Sequence, residues 1–207
     1  MKERFLITQT LLSSWQYLFD CYEGCEEAAM EDFLKVLRRE PTVQTPKMLD
    51  GIEFEAECYA LADGKPFTPV AGWENGVRAV ARRIRGGQFQ VRASRELELD
   101  GMTFLCYGIL DCLKAGTISD IKKKSKSFGS LELAGSYRES AQHPMYFYLV
   151  PEARLFRYLV SDGEELYTED YRPGECRHIA VIIREFIASL SNMGLLETYK
   201  ENWKARI

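Results

Sequence analysis

Apolar positions along the chain change period once, near residue 88. Before it, Leu11, Leu12, Trp15, Leu18, Phe19 and Tyr22 recur at helical spacing, with Thr10 placed to cap their first turn. A second helix is predicted from Glu26 to about Arg39, where Pro41 and Pro46 break the pattern, and a third over 49–61. Asp63-Gly64-Lys65-Pro66 reads as a turn, and a fourth helix over 73–85 is closed by Gly86-Gly87. Residues 88–99 then alternate polar and strand-forming side chains, Asp100-Gly101 signals a two-residue hairpin, and 102–110 is an apolar strand. Lys114-Ala115-Gly116 turns into a short strand over 117–121. Residues 140–149 are helical in pattern, Ser161-Asp162-Gly163-Glu164 joins strands over 155–160 and 165–168, and an amphipathic helix over 179–192 stops at Gly194. Helices, then strands, then helices again predict an α/β (α+β) fold with a central mixed β-sheet flanked by helices. Without a repeat or a linker, residues 1–207 read as a single domain whose N-terminal helical region takes about residues 1–87.

Composition agrees with a packed domain. The 207 residues are 46% hydrophobic and 12% aromatic, enough apolar material for a filled core, and the 28% that are charged include no low-complexity tract. No apolar run reaches the roughly 18 residues of a membrane span, and Met1-Lys2-Glu3-Arg4 leads into mixed sequence without a signal-peptide core. The expectation is a soluble, cytoplasmic protein with no membrane partner. Cysteines 21, 25, 58, 106, 112 and 176 form no CxxC pair and predict reduced, buried thiols rather than a metal site. His143 and His178 are too few for a histidine-rich zinc centre.

A net charge of −4 means that affinity for nucleic acid must rest on local clusters. Arg78, Arg82 and Arg85 follow i, i+4, i+7 spacing with Arg83 beside them; Lys122, Lys123, Lys124 and Lys126 form a second cluster. Alone, a charged stripe is as readily a solvated face.

The stretch with chemical content is Gly108-Ile109-Leu110-Asp111 followed by Ile118-Ser119-Asp120-Ile121-Lys122. Residues two apart on a strand share a side, so Asp120 and Lys122 project together, and Asp111 meets them if the two strands pair. Two carboxylates converging at strand ends suit Mg²⁺ or Mn²⁺, and a lysine beside them can orient a water, lower its pKa or offset charge on a phosphate. By itself the pattern equally describes a hairpin with a solvated basic end. Glu55 adds to it. At about 100° per residue, Phe54, Cys58, Tyr59, Leu61, Ile52 and Ala56 form an apolar arc that includes Glu55, while Glu53 and Glu57 share the polar stripe. A carboxylate aimed at a core needs a metal or a cationic partner. Gln142 and Tyr146, four apart, place an amide and a phenol on one helix face, a spacing common in plain packing.

Taken in order, Gly51 to Glu55, Gly108 to Asp111, Asp120-Ile121-Lys122 and Gln142 to Tyr146 resemble the motifs of the RecB-like exonuclease branch of the PD-(D/E)XK nucleases. The resemblance runs from roughly Thr10 to Tyr148. It implies a restriction-endonuclease-like core in which Glu55, Asp111, Asp120 and the Ile121 carbonyl bind Mg²⁺ or Mn²⁺. Lys122 serves the attacking water, and Gln142 and Tyr146 position the DNA end or the site. The implied activity is metal-dependent phosphodiester hydrolysis in DNA, exonucleolytic rather than site-specific, with Arg78, Arg82, Arg85 and Lys124 as phosphate contacts. The chain departs from the pattern in three places. Lys123 stands where a threonine is frequent, which is expected to add phosphate affinity. Pro144 interrupts the Gln-to-Tyr interval, so the helix must start near Ser140 or kink. Only Cys176 lies late, so the iron–sulfur cluster of some relatives is not expected. The alternative is a catalytically inactive nucleic-acid- or partner-binding module on the same scaffold; a small-molecule enzyme finds no glycine-rich phosphate loop and no nucleophile–histidine arrangement.

Overall fold

The computed structural model describes residues 3–66, 68, 70–130 and 133–205. Its N-terminal half runs β1 (Arg4–Thr8), α1 (Gln9–Asp20), α2 (Glu26–Leu37), α3 (Pro46–Ala62) and α4 (Glu74–Ile84). The second half runs β2 (Gln88–Leu99), β3 (Met102–Lys114), β4 (Thr117–Lys123), α5 (Gln142–Leu149), β5 (Leu155–Ser161), β6 (Leu166–Tyr171), α6 (Ile179–Asn192) and α7 (Leu196–Asn202). These make an α/β fold: a mixed six-stranded sheet flanked by helices.

Helices α1, α3 and α6 start at a side-chain cap, and the first two starts correct the sequence reading. Thr8, not Thr10, caps α1, accepting a hydrogen bond from the Leu11 amide at 3.3 Å. The residues before it form β1, whose alternation of buried Phe5 and Ile7 is too short to stand out against the following helical pattern. Pro46 begins a helix instead of breaking one: it sits at the first position of α3, where no intrahelical N–H is needed, and Thr45 caps the turn. On α1, Leu11, Leu12 and Trp15 are buried, whereas Phe19 lies outside the core stripe at 68% exposure and Tyr22 falls beyond the helix end at 81%. Helix α7, past Gly194, is the other element that the sequence pattern misses.

Both hairpin turns flanking β3 place two consecutive residues at positive φ, Asp100-Gly101 at 50° and 82° and Ala115-Gly116 at 47° and 77°. That twist matches the strands they join. The central strands β4 and β5 are buried on both faces, as helical layers on each side require, whereas β2 has no buried residue. Phe156, Tyr158 and Val160 of β5 pack with α1, α5 and α6 in one cluster, while Leu159 packs against α3 and α4 in another. All six cysteines are free; Cys58, Cys106 and Cys112 are buried as expected, but Cys25 is exposed. Among the described residues no single helix is long and apolar enough to cross a membrane.

Candidate active site

Strand pairing leaves an opening in the sheet. β2 covers one edge of β3 from Leu113 to Met102, so β1 and β4 must share the other. β1 pairs there with Thr103 to Tyr107, and β4 with Cys112 to Lys114. Residues 108–111 lie between the two without a strand partner on that edge. Backbone polar groups at such a gap need other partners. The Tyr146 hydroxyl donates to the Ile109 carbonyl at 2.8 Å, and the Ile121 amide donates to Asp111 Oδ2 at 2.8 Å. Side chains from the sequence motifs therefore replace hydrogen bonds that the ladder gives up.

Asp111 and Asp120 would be the next antiparallel pair beyond Cys112 and Ser119, so they project from the same face of the splayed strands. A cavity of about 570 Å³ opens there, and Glu55, Asp111, Asp120, Ile121, Lys122, Gln142 and Tyr146 all line it. Helix α3 brings Glu55 from one helical layer, and α5 brings Gln142 and Tyr146 from the other. The proline does not disturb α5: it begins at Gln142, so Pro144 falls in the first turn, where a missing N–H costs no helical hydrogen bond. Gly108 has a packing reason. A Cβ there would lie 2.4 Å from the Tyr146 ring, so only glycine lets that ring reach the gap. Gly51 has open space around it.

The electrostatics concentrate negative charge. The Gln142 amide donates to Asp120 Oδ1. Asp120 Oδ2 is buried and accepts no well-directed hydrogen bond among the described residues; it forms an ion pair with Lys122 Nζ at 2.8 Å. Burial, then the charges of Asp120 and Glu55, push the Asp111 carboxyl well above the usual range, outweighing the Ile121 amide. Burial also raises Glu55, against the hydrogen bond from Tyr59 and with repulsion from Asp120 adding to it. For Lys122, burial pulls downward, but the charges of Asp120, Asp111 and Glu55 overcome it and the ammonium holds its proton tightly. Three oxygen-bearing acids, two of them raised by burial and repulsion, and one acid oxygen held by Lys122 alone make a donor set suited to a hard divalent cation. As placed, no group of three His, Cys, Asp or Glu side chains among the described residues stands close enough together to hold a metal ion.

Other expected residues stand apart. Arg78 and Arg82 are exposed on α4 and Arg85 just past its end, and none lines the cavity. Lys124 extends over the Tyr137 ring at 5.6 Å, also outside the lining. Lys123 is engaged within the fold and does not line the cavity: its ammonium donates to the carbonyls of Lys124 and Asp162, both at 2.7 Å, and lies over Trp73. The arc drawn for α3 is also rotated. Ile52 and Ala56 are exposed, whereas Glu57 is buried and accepts a hydrogen bond from the Val70 amide at 3.0 Å. Glu55 sits at the margin of the buried face, held by Tyr59 and by the Gln90 amide at 2.7 Å.

Sequence reasoning missed Tyr59, Gln90, Arg39 and Trp203. Gln90 sits in β2 at φ 52°, where pairing skips the position opposite Asp111, and no alternation pattern marks it. Arg39 and Trp203 line the cavity from α2 and α7, and only the fold brings them together.

No protein-family model matches the chain, and no curated protein matches it in sequence. Among solved structures, one described as SSO0001 is similar at 17% identity and a TM-score of 0.51, covering 93% of this chain and 78% of that one. Rai1 of Scheffersomyces stipitis, in complex with (3′-NADP)+ and a calcium ion, is matched at 12% identity over 90% of this chain and 61% of that one. Its TM-score of 0.35 carries no argument. The first likeness shows the fold alone, a mixed sheet flanked by helices.

Proposed function

We propose that the chain is a metal-dependent deoxyribonuclease of the PD-(D/E)XK type, on the RecB-like exonuclease branch. The observation that carries this reading is convergence. Four short motifs, spread from Gly51 to Tyr146, deliver Glu55, Asp111, Asp120, Lys122, Gln142 and Tyr146 to one cavity at the gap in the sheet. Packing alone gives no reason for three carboxylates to gather there against their mutual repulsion.

In this reading Glu55, Asp111, Asp120 and the Ile121 carbonyl hold Mg²⁺ or Mn²⁺. The bound ion supplies Lewis acidity and a water of lowered pKa. Lys122, charged and beside Asp120, offsets negative charge on the phosphoryl oxygens. Gln142 fixes the Asp120 carboxylate through Oδ1, so that Oδ2 stays turned toward Lys122 and the cavity. Tyr146 ties the Ile109 carbonyl and keeps the gap from closing. The partner is DNA, with Arg82, Arg85 and Lys124 as candidate backbone contacts beyond the cavity.

The test uses purified protein with labelled linear and circular DNA in Mg²⁺, Mn²⁺ or EDTA. Linear DNA should be degraded from its ends with either cation and be spared in EDTA, and folded Lys122→Ala should be inactive. Absence of cation-dependent cleavage by the wild type, or wild-type cleavage by Lys122→Ala, overturns the reading.

A further inference from the structure

We infer that Arg39 anchors a phosphate group of the bound strand in the same cavity, making an anion subsite beside the carboxylates. The inference rests on the nuclease reading and names how that site holds its substrate. Lys122 and Arg39 are the cationic residues lining the cavity, and Lys122 is already paired with Asp120. Arg39 pairs with no carboxylate among the described residues. Arg4, Arg157, Arg177 and Arg184 are held by Glu96, Asp170, Glu185 and Asp100, and Arg82, Arg85 and Arg95, which like Arg39 pair with no carboxylate among the described residues, lie outside the cavity lining.

The guanidinium is held on a firm support. It lies over the Trp203 ring, 4.9 Å from the centroid, and Nη1 reaches the Asn202 carbonyl at 3.5 Å. Trp203 is buried and fixed in turn by its indole N–H, which donates to the Leu37 carbonyl at 2.9 Å. A planar fork of five donors, ordered by stacking and using one of them for a long contact, is suited to a tetrahedral anion. The backbone favours a different residue. Arg39 has φ 56° just past the end of α2, a position where glycine or asparagine is at ease. The side chain, not the turn, accounts for an arginine here.

Arg39 and Leu6 also line a second cavity of about 790 Å³, bordered by Glu201 and by Lys204, which is itself paired with Glu3. Arg39 and Leu6 thus stand in the walls of both cavities. The bound phosphate is a terminal monoester or an internal diester of the bound strand.

The experiment measures fluorescence anisotropy of labelled oligonucleotides with 5′-phosphate, 3′-phosphate or no terminal phosphate. Arg39→Gly and Arg39→Lys are built in an Asp120→Asn chain, which removes turnover and one negative charge. Arg39→Gly should weaken binding about tenfold and lower the salt slope by about one, while Arg39→Lys retains part of both. Glycine suits the left-handed backbone, so its thermal midpoint should stay near that of the parent. Loss confined to one terminally phosphorylated probe identifies the monoester, and equal loss on all three identifies the diester. Unchanged affinity and slope in Arg39→Gly overturn the anchor, as does an Asp120→Asn chain that binds no probe. Wild-type cleavage separates the two readings: if it is present while Arg39→Gly binds normally, only the anchor falls; if it is absent and no probe binds, the nuclease reading falls as well.

Discussion

Glu169 on β6 and Asp120 on β4 are 9% and 3% exposed, two acids buried within one sheet. Around Glu169 every lone-pair direction is answered. Oε1 accepts from the Tyr137 amide and the Tyr171 hydroxyl; Oε2 accepts from the Gly135 amide at 3.2 Å and the Tyr167 hydroxyl at 3.1 Å. Asp120 has one hydrogen bond, from Gln142, one ion pair and two further carboxylates lining its cavity. The difference separates two uses of a buried charge. A carboxylate saturated by donors holds structure together; here it ties the segment that leads into α5. A carboxylate left short of donors beside like charges costs stability that only a ligand restores.

The largest expected effect tests the under-satisfied side. Asp120→Asn should lower DNA cleavage by at least about a hundredfold. Its metal-free thermal midpoint should stay within about 2 °C of the parent, because relief of the repulsion on Asp111 and Glu55 offsets the loss of the Lys122 ion pair. Glu169→Gln should do the reverse, retaining cleavage while losing about 2 kcal/mol as an amide donor replaces an acceptor among donors. Melting curves and cleavage rates on the same preparations check both. If Asp120→Asn destabilises the fold as Glu169→Gln does, the distinction fails.

His143 sharpens the structural side. It stacks on Tyr171 at 4.1 Å and shares a hydrogen bond with the Tyr158 hydroxyl at 3.1 Å. Burial pushes its imidazole down from 6.5 to about 4, so the fold favours the neutral ring. The unfolded chain takes up its proton near pH 6.5, the folded chain only near 4. That stabilisation is complete above the unfolded value and is lost as pH falls toward 4, up to about 3 kcal/mol. His143→Phe should flatten this part of the stability profile between pH 7 and 4.5, measured by chemical denaturation. An unchanged slope would assign the acid sensitivity elsewhere.

Glu55 and Glu57, two residues apart on α3, repeat the contrast on a smaller scale. Glu57→Ala should cost about 1–2 kcal/mol, because the Val70 amide loses its acceptor, with cleavage per folded molecule unchanged. Glu55→Gln should leave stability nearly intact and raise the Mg²⁺ concentration needed for half-maximal cleavage. Equal effects of the two on metal dependence would remove Glu55 from the site.

These pairs also mark what the sequence could carry. Hairpins at Asp100-Gly101 and Ala115-Gly116, and the strands between them, were legible because turn chemistry and period two act locally. Asp111, Asp120 and Lys122 were legible for the same reason, each fixed by its place on a strand. Glu57 was not, because a rotation of α3 by part of a turn exchanges its buried and exposed acids, and periodicity fixes a face only within that error. β1 was lost because five residues give too few alternations before a helical pattern begins. Arg39 and Trp203 meet across more than half the chain, through α2 and α7 packing, which no local spacing encodes.

The smallest expected effect concerns cations, where spacing along a helix reports a shared face but not what that face meets. Arg82 on α4 and Arg85 just past its end are exposed and lie outside the cavity, whereas Arg39 lines it. Arg78 already engages a neighbour, so it is left in place. Reversing Arg82 and Arg85 to Glu should weaken binding of a long duplex by roughly twofold to threefold, through long-range repulsion that salt screens. Binding of a short single strand that only fills the cavity should not change. Anisotropy titrations at two ionic strengths, with the long and the short probe, measure both. A loss on the short strand as large as that from Arg39→Gly would mean that the strand leaves the cavity along α4, and the stripe would then belong to the site.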